Sequence, residues 1–105
     1  MLDNSNLENI VVSLDGKNYY FSAGFETTAF IWSAYDDQRM FKDDECINPG
    51  LYAINLMRVA SYQHHPDVDW RDTINNMPQS EWIKVWDTVA AITEACEKRS
   101  ESSTV

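Results

Sequence analysis

The side chains best suited to acid–base chemistry or metal binding stand together once, as His64, His65, Asp67 and Asp69. A neutral imidazole can ligate a metal or move a proton near neutral pH, and carboxylates could complete a ligand set. Adjacent histidines point in different directions on most backbones, however, and neither has the i, i+4 partner that makes a helical metal site. The segment therefore reads as a solvated connection between helices whose aspartates serve as caps. The acidic groups Asp36–Asp37 and Asp43–Asp44–Glu45 lack the spacing and terminal Glu of an EF-hand loop, which leaves solvated loops or imitation of a phosphate backbone. Cys46 has no neighbouring histidine or CxxC partner, and the three glycines read as a turn, a strand end and a helix start. The expectation is no catalytic residue, no metal and no cofactor.

Composition narrows the classes further. A chain of 105 residues has room for one domain, burying roughly 60–65% of its unfolded surface. Seventeen Asp and Glu against eight Lys and Arg give a net charge of −9, which repels a nucleic-acid backbone wherever no local basic patch offsets it. The basic residues are scattered singly along the chain except for Lys98–Arg99, so direct nucleic-acid binding is not expected. Apolar runs are too short for a membrane span. The N-terminal MLDNSNLENI lacks the basic and apolar regions of a signal peptide, so the cytoplasm is expected. Cys46 and Cys96 read as thiols and not as a disulfide.

These side chains must be carried by a small set of elements. Residues 7–23 hold two β-rich runs joined by Asp15–Gly16, the signature of a two-residue type I′ turn. That turn pairs Leu14 with Lys17, Val12 with Tyr19 and Ile10 with Phe21, placing Ile10, Val12, Tyr19 and Phe21 on one face that helices must cover. From Phe25 the spacing becomes helical, with Phe25, Ala29, Trp32 and Tyr35 as the inward stripe. Residues 40–48 read as an acidic loop. Asn48–Pro49–Gly50 opens a second helix with Ala53, Leu56, Met57 and Ala60 inward. Pro66 ends that segment, Asp67 or Asp69 can cap a short helix over roughly 70–76, with Asp69 and Asp72 resembling a capping box, and a final helix from Pro78 points Trp82, Val85, Trp86, Val89, Ile92 and Cys96 inward. The predicted fold is α+β, an N-terminal antiparallel β-hairpin packed on three to four helices. The domain spans 1–98, and 99–105 form a disordered tail.

Four Trp, five Tyr and four Phe exceed what one small core hides with ease, and aromatic rings are favoured anchors at interfaces. Tyr20, Phe30 and Phe41 lie off the inward stripes or in a loop and are the expected exposed anchors. With Tyr35 and the acidic Asp43, Asp44 and Glu45 they form the candidate partner-binding set.

The order of elements resembles the tail assembly chaperones of long-tailed bacteriophages. The similarity rests on Val12-Ser-Leu-Asp-Gly-Lys-Asn-Tyr19 followed by Ala23-Gly-Phe25, then on Leu56–Ser61 with His65-Pro-Asp-Val-Asp-Trp70 and the closing amphipathic helix. The resemblance implies a non-catalytic protein of the infected host's cytoplasm that binds the tape-measure protein, helps recruit tail-tube subunits and can self-associate. Two alternatives belong to other classes. One is an acidic, DNA-mimicking or anti-defence inhibitor of a host nucleic-acid enzyme. The other is a small enzyme resembling pterin carbinolamine dehydratases, with which the chain shares only His64–His65–Pro66.

Overall fold

The computed structural model describes residues 9–102, with side chains over 10–98. Strands β1 (Asn9–Leu14) and β2 (Lys17–Ser22) pair antiparallel in the expected register, Leu14 with Lys17, Val12 with Tyr19 and Ile10 with Phe21. The turn between them holds Asp15 at φ 51° and Gly16 at φ 81°, the paired positive angles of a type I′ turn whose twist suits a tight hairpin. Helices follow as α1 (Phe25–Tyr35), α2 (Pro49–Ser61), α3 (Trp70–Asn75) and α4 (Gln79–Ser102). The fold is α+β, a hairpin followed by four helices.

The hairpin's inner face meets α2 and α4. Leu14, Tyr19 and Phe21 from the hairpin join Leu56 and Met57 of α2, Trp70 of α3, and Val85 and Ile92 of α4 in one buried cluster. Burying each large apolar side chain of this kind stabilises the fold by about 1.5–3 kcal/mol. Trp70 sits at the centre, its ring centroid 4.8 Å from that of Tyr19 and 5.5 Å from that of Phe21. Its indole N–H is not wasted in this apolar setting, because it donates to the buried Ser61 Oγ at 2.8 Å.

Local chemistry sets the helix ends as the residue types require. Asn48 accepts from the Leu51 N–H at 3.2 Å ahead of Pro49 at the first helical position, and Asp69 accepts from the Asp72 N–H at 3.1 Å. Ala53, Leu56, Met57 and Ala60 are buried as their spacing indicates. So are Val85, Val89, Ile92 and Cys96 of α4, with Trp82 half-buried. Trp86 departs from that stripe and stands 46% exposed, on the shoulder of a helix whose inward face is completed instead by Thr88 and Ala95. Thr88 is tolerated inside because its hydroxyl donates to the Lys84 carbonyl at 2.6 Å.

Helix α1 reverses the sequence expectation. Thr27, Ile31 and Ala34 face the core, while Phe25 and Trp32 are 84% and 60% exposed and Tyr35 is exposed beside them. The sequence FETTAFIWSAY is apolar on nearly every side, so its spacing supports more than one inward face. Packing chose the face with the smaller side chains, which lets α1 approach α2 closely. Burial of Thr27 is stabilised by its hydroxyl, which donates to the Ser22 carbonyl at 2.7 Å and ties α1 to the end of β2.

The segment read as an acidic loop is a minimal hairpin, β3 (Phe41–Lys42) paired antiparallel with β4 (Glu45–Cys46). Asp43 at φ 54° and Asp44 at φ 66° form its turn, repeating the left-handed pair of the first hairpin without a glycine. Helix α4 continues through Ser102, past the expected start of the tail, and residues 103–105 and 1–8 lie outside the described residues. No helix among the described residues is long and apolar enough to cross a membrane.

Candidate functional site

The reversed phase of α1 places three large rings on the surface of one helix. Phe25, Trp32 and Tyr35 follow one another at i, i+7 and i+10, so they share a side of the helix, on which Phe25 and Trp32 are the more exposed and Tyr35 leans on Phe41 of β3. Lone exposed aromatics are ordinary, whereas several aligned on a short helix form a continuous apolar strip that favours a partner. Acidic groups border the strip. Glu26 lies in the first turn of α1 and Asp36 at its C-cap. The Glu97 carboxylate of α4 acts on the Tyr35 phenol, which is raised above its ordinary pKa by burial first, then by Glu97 and Cys96.

Behind this surface the rings form a chain that leads inward. Tyr35 meets Phe41 edge-on at 4.9 Å, Phe41 meets Tyr52 edge-on at 5.3 Å, and Phe30 stacks on Tyr52 at 6.1 Å. The Tyr52 hydroxyl shares a hydrogen bond with Thr93 Oγ1 at 3.1 Å, and burial pushes its pKa up to about 12. Tyr52 thus stays a neutral phenol that links α2 to α4, and through the rings it braces the β3–β4 hairpin against α1.

Of the expected partner-binding residues, Phe30, Tyr35 and Phe41 come together through Tyr52, but Phe30 and Phe41 do not stand free. Both are half-buried against the core, because the minimal hairpin folds Phe41 back onto α2 and α1. Asp43, Asp44 and Glu45 are exposed at the tip of that hairpin. Tyr20 belongs elsewhere. It is 41% exposed on the outer face of β2, where its ring stacks on His65 at 5.9 Å and lies 5.8 Å from His64.

The histidines have a structural occupation. His65 Nε2 accepts the main-chain N–H of Tyr20 at 3.0 Å, and the main-chain N–H groups of both histidines donate to the Ser61 carbonyl, at 3.0 Å from His64 and 2.8 Å from His65. Burial, then His64 and Lys17, lower the His65 pKa. Among the described residues no group of three His, Cys, Asp or Glu side chains is arranged to hold a metal ion.

Three features had little or no signal along the chain. Ile83 and Trp86 stand exposed on α4, and Trp86 lines an apolar pocket of about 180 Å³ together with Ala53, Ile54, Ile74 and Trp82. The second feature is Phe25 with Trp32, whose helical spacing was visible but whose direction was not. The third corrects the expectation that no basic patch exists, since Arg39, Arg58 and Arg71 line one cleft. Comparison with protein families, curated proteins and solved structures finds no match for this chain.

Proposed function

We propose that this protein is a non-catalytic binding module that shields apolar helical segments of a partner, acting as a phage tail assembly chaperone whose client is the tape-measure protein. The observation that carries the reading is the exposed strip Phe25, Trp32 and Tyr35 on one helix. An amphipathic client helix laid along α1 would bury these rings, and basic residues on its flanks would meet Glu26, Asp36 and Glu97. The surrounding body, at net charge −9, keeps such a complex dispersed. Recruitment of tail-tube subunits follows the same logic of surface exchange and requires no reactive group.

Co-expression with a tagged tape-measure protein tests this. The wild-type chain co-purifies with the client, and the double variant Phe25→Ser, Trp32→Ser, whose altered side chains lie outside the core, does not. A wild-type chain that fails to co-purify, or a double variant that co-purifies equally well, overturns the reading.

A second reading has its own observation. Asp43, Asp44 and Glu45 project at the tip of the β3–β4 hairpin on a fixed turn, a presentation that suits an acidic inhibitor of a nucleic-acid-binding enzyme. Replacing them with Asn, Asn and Gln removes the charge while Asn still accepts the left-handed backbone. Inhibition that survives this change excludes mimicry.

A further inference from the structure

Three of the chain's four arginines come from separate segments to one cleft of about 390 Å³. Arg39 follows α1, Arg58 lies in the last turn of α2 and Arg71 in the first turn of α3. In a chain with twice as many acids as bases, an exposed cation has carboxylates in plenty to pair with. The described ion pairs nevertheless join Arg39 with Asp37, Lys84 with Glu81 and Lys98 with Glu94, leaving Arg58 and Arg71 outside them. Arg58 donates from Nη2 to Asn55 Oδ1 at 3.2 Å, and Asn55 is itself anchored by donating to the Leu51 carbonyl at 2.9 Å. Arg71 makes no side-chain hydrogen bond among the described residues. Two positive groups thus line one cleft with no ion-pair partner among the described residues.

The one carboxylate in the lining does not cancel them. Asp37 already has both oxygens engaged by Arg39, Oδ1 by Nε at 3.1 Å and Oδ2 by Nη2 at 2.7 Å. That pair also shows what a guanidinium fork does with a carboxylate, since one fork engages both oxygens, and Oδ1 takes the Arg39 main-chain N–H at 2.9 Å besides. Arg58 and Arg71, lining the same cleft without a carboxylate of their own among the described residues, suit an anion with more oxygens and more charge. A phosphate monoester offers three terminal oxygens and close to two charges at neutral pH. Phe30 and Leu51 supply an apolar wall for the body of such a molecule.

We infer that the cleft lined by Arg39, Arg58 and Arg71 binds a small phosphate monoester, its dianion between Arg58 and Arg71 and its apolar body against Phe30 and Leu51. Arg39, fixed and neutralised by Asp37, closes the third side as a wall of the cleft. Because the protein as a whole repels anions, binding depends on these short-range forks and weakens as salt is raised. The site is independent of the aromatic strip on α1, and its success or failure leaves the chaperone reading untouched.

Titration of the isotopically labelled full chain with phenyl phosphate, at constant ionic strength, is the test. Saturable shifts in the Arg58 and Arg71 side-chain signals and the Asn55 amide are expected, with benzoate binding more weakly. Arg58→Gln and Arg71→Gln each weaken binding about tenfold or more, while Lys98→Gln, a cation outside the cleft, leaves it unchanged. Unaltered spectra away from the cleft show that each variant is folded. Shifts that do not saturate at millimolar ligand, an equal response to benzoate, or arginine variants that bind like the wild type each overturn the inference.

Discussion

The imidazole of His65 receives the main-chain N–H of Tyr20 at 3.0 Å, so the connection after α2 is fastened to the outer edge of β2 by a group that accepts only while it is neutral. Protonation at Nε2 replaces the acceptor with a second donor and breaks the contact. The fold lowers the affinity of His65 for a proton, by burial first and then by the charges of His64 and Lys17. Between the folded and unfolded pKa values the unfolded chain binds more protons, so stability rises with pH there. The contribution is complete above the unfolded value of 6.5 and is lost as pH falls through the lowered folded value. Denaturant unfolding at a series of pH values, compared between wild type and His65→Leu, should show a slope below neutrality that the variant lacks. Parallel curves would remove His65 from the account.

Ser61→Ala tests the buried bond to Trp70. The substitution strands the indole N–H in an apolar core and should cost about 1–3 kcal/mol. Trp70→Phe removes the donor but leaves a gap, and the double variant separates the two effects. A coupling energy near zero in urea unfolding would mean that the indole finds another partner.

The phase of α1 can be read from stability alone. Trp32→Ser lies on the exposed strip and should change stability by no more than about 0.5 kcal/mol. Ile31→Ala, one residue earlier, should cost about 2–5 kcal/mol because it empties part of the core. The opposite ranking would restore the inward stripe suggested by spacing.

Gly16→Ala isolates backbone strain. A Cβ at this position meets nothing within 4 Å, yet φ is +81°, so the expected loss of about 1–2 kcal/mol is conformational and not steric. An unchanged midpoint would show that the turn has moved to another type.

Glu81 of α4 accepts the Asp15 N–H at 2.7 Å and so clamps the first turn to the start of the last helix. That bond and Lys84 lower its pKa, so the clamp is present above the unfolded value of 4.5 and is lost as pH falls through the folded value. Glu81→Ala should speed hydrogen exchange at the Asp15 amide while leaving Trp70 signals in place. Unchanged exchange at that amide would show the turn to be held by other contacts.

Features governed by near neighbours were legible in the chain. Asp15–Gly16 determines the register of β1 and β2, Asn48–Pro49 opens α2, and Asp69 caps α3, because each depends on a few consecutive residues. Spacing also oriented α2, whose polar residues leave one face to bury. It failed for α1, where apolar residues surround the helix and the choice fell to close packing around Ala34 and the hydroxyl of Thr27. It misplaced Trp86 for a related reason, since a ring at the margin of a stripe can turn either way. The left-handed pair Asp43–Asp44 carried a weak hairpin signal without glycine. Arg39, Arg58 and Arg71 had none, as only the packing of the turn after α1 against α2 and α3 brings them to one cleft.

The main-chain edge of β2 is occupied by side chains, with His65 on the Tyr20 amide and Thr27 on the Ser22 carbonyl. A two-stranded sheet normally invites a third strand from another molecule, and such recruitment is a common start to fibres. Here an incoming strand would first have to displace an imidazole and a hydroxyl. Growth of the sheet on that side is therefore discouraged.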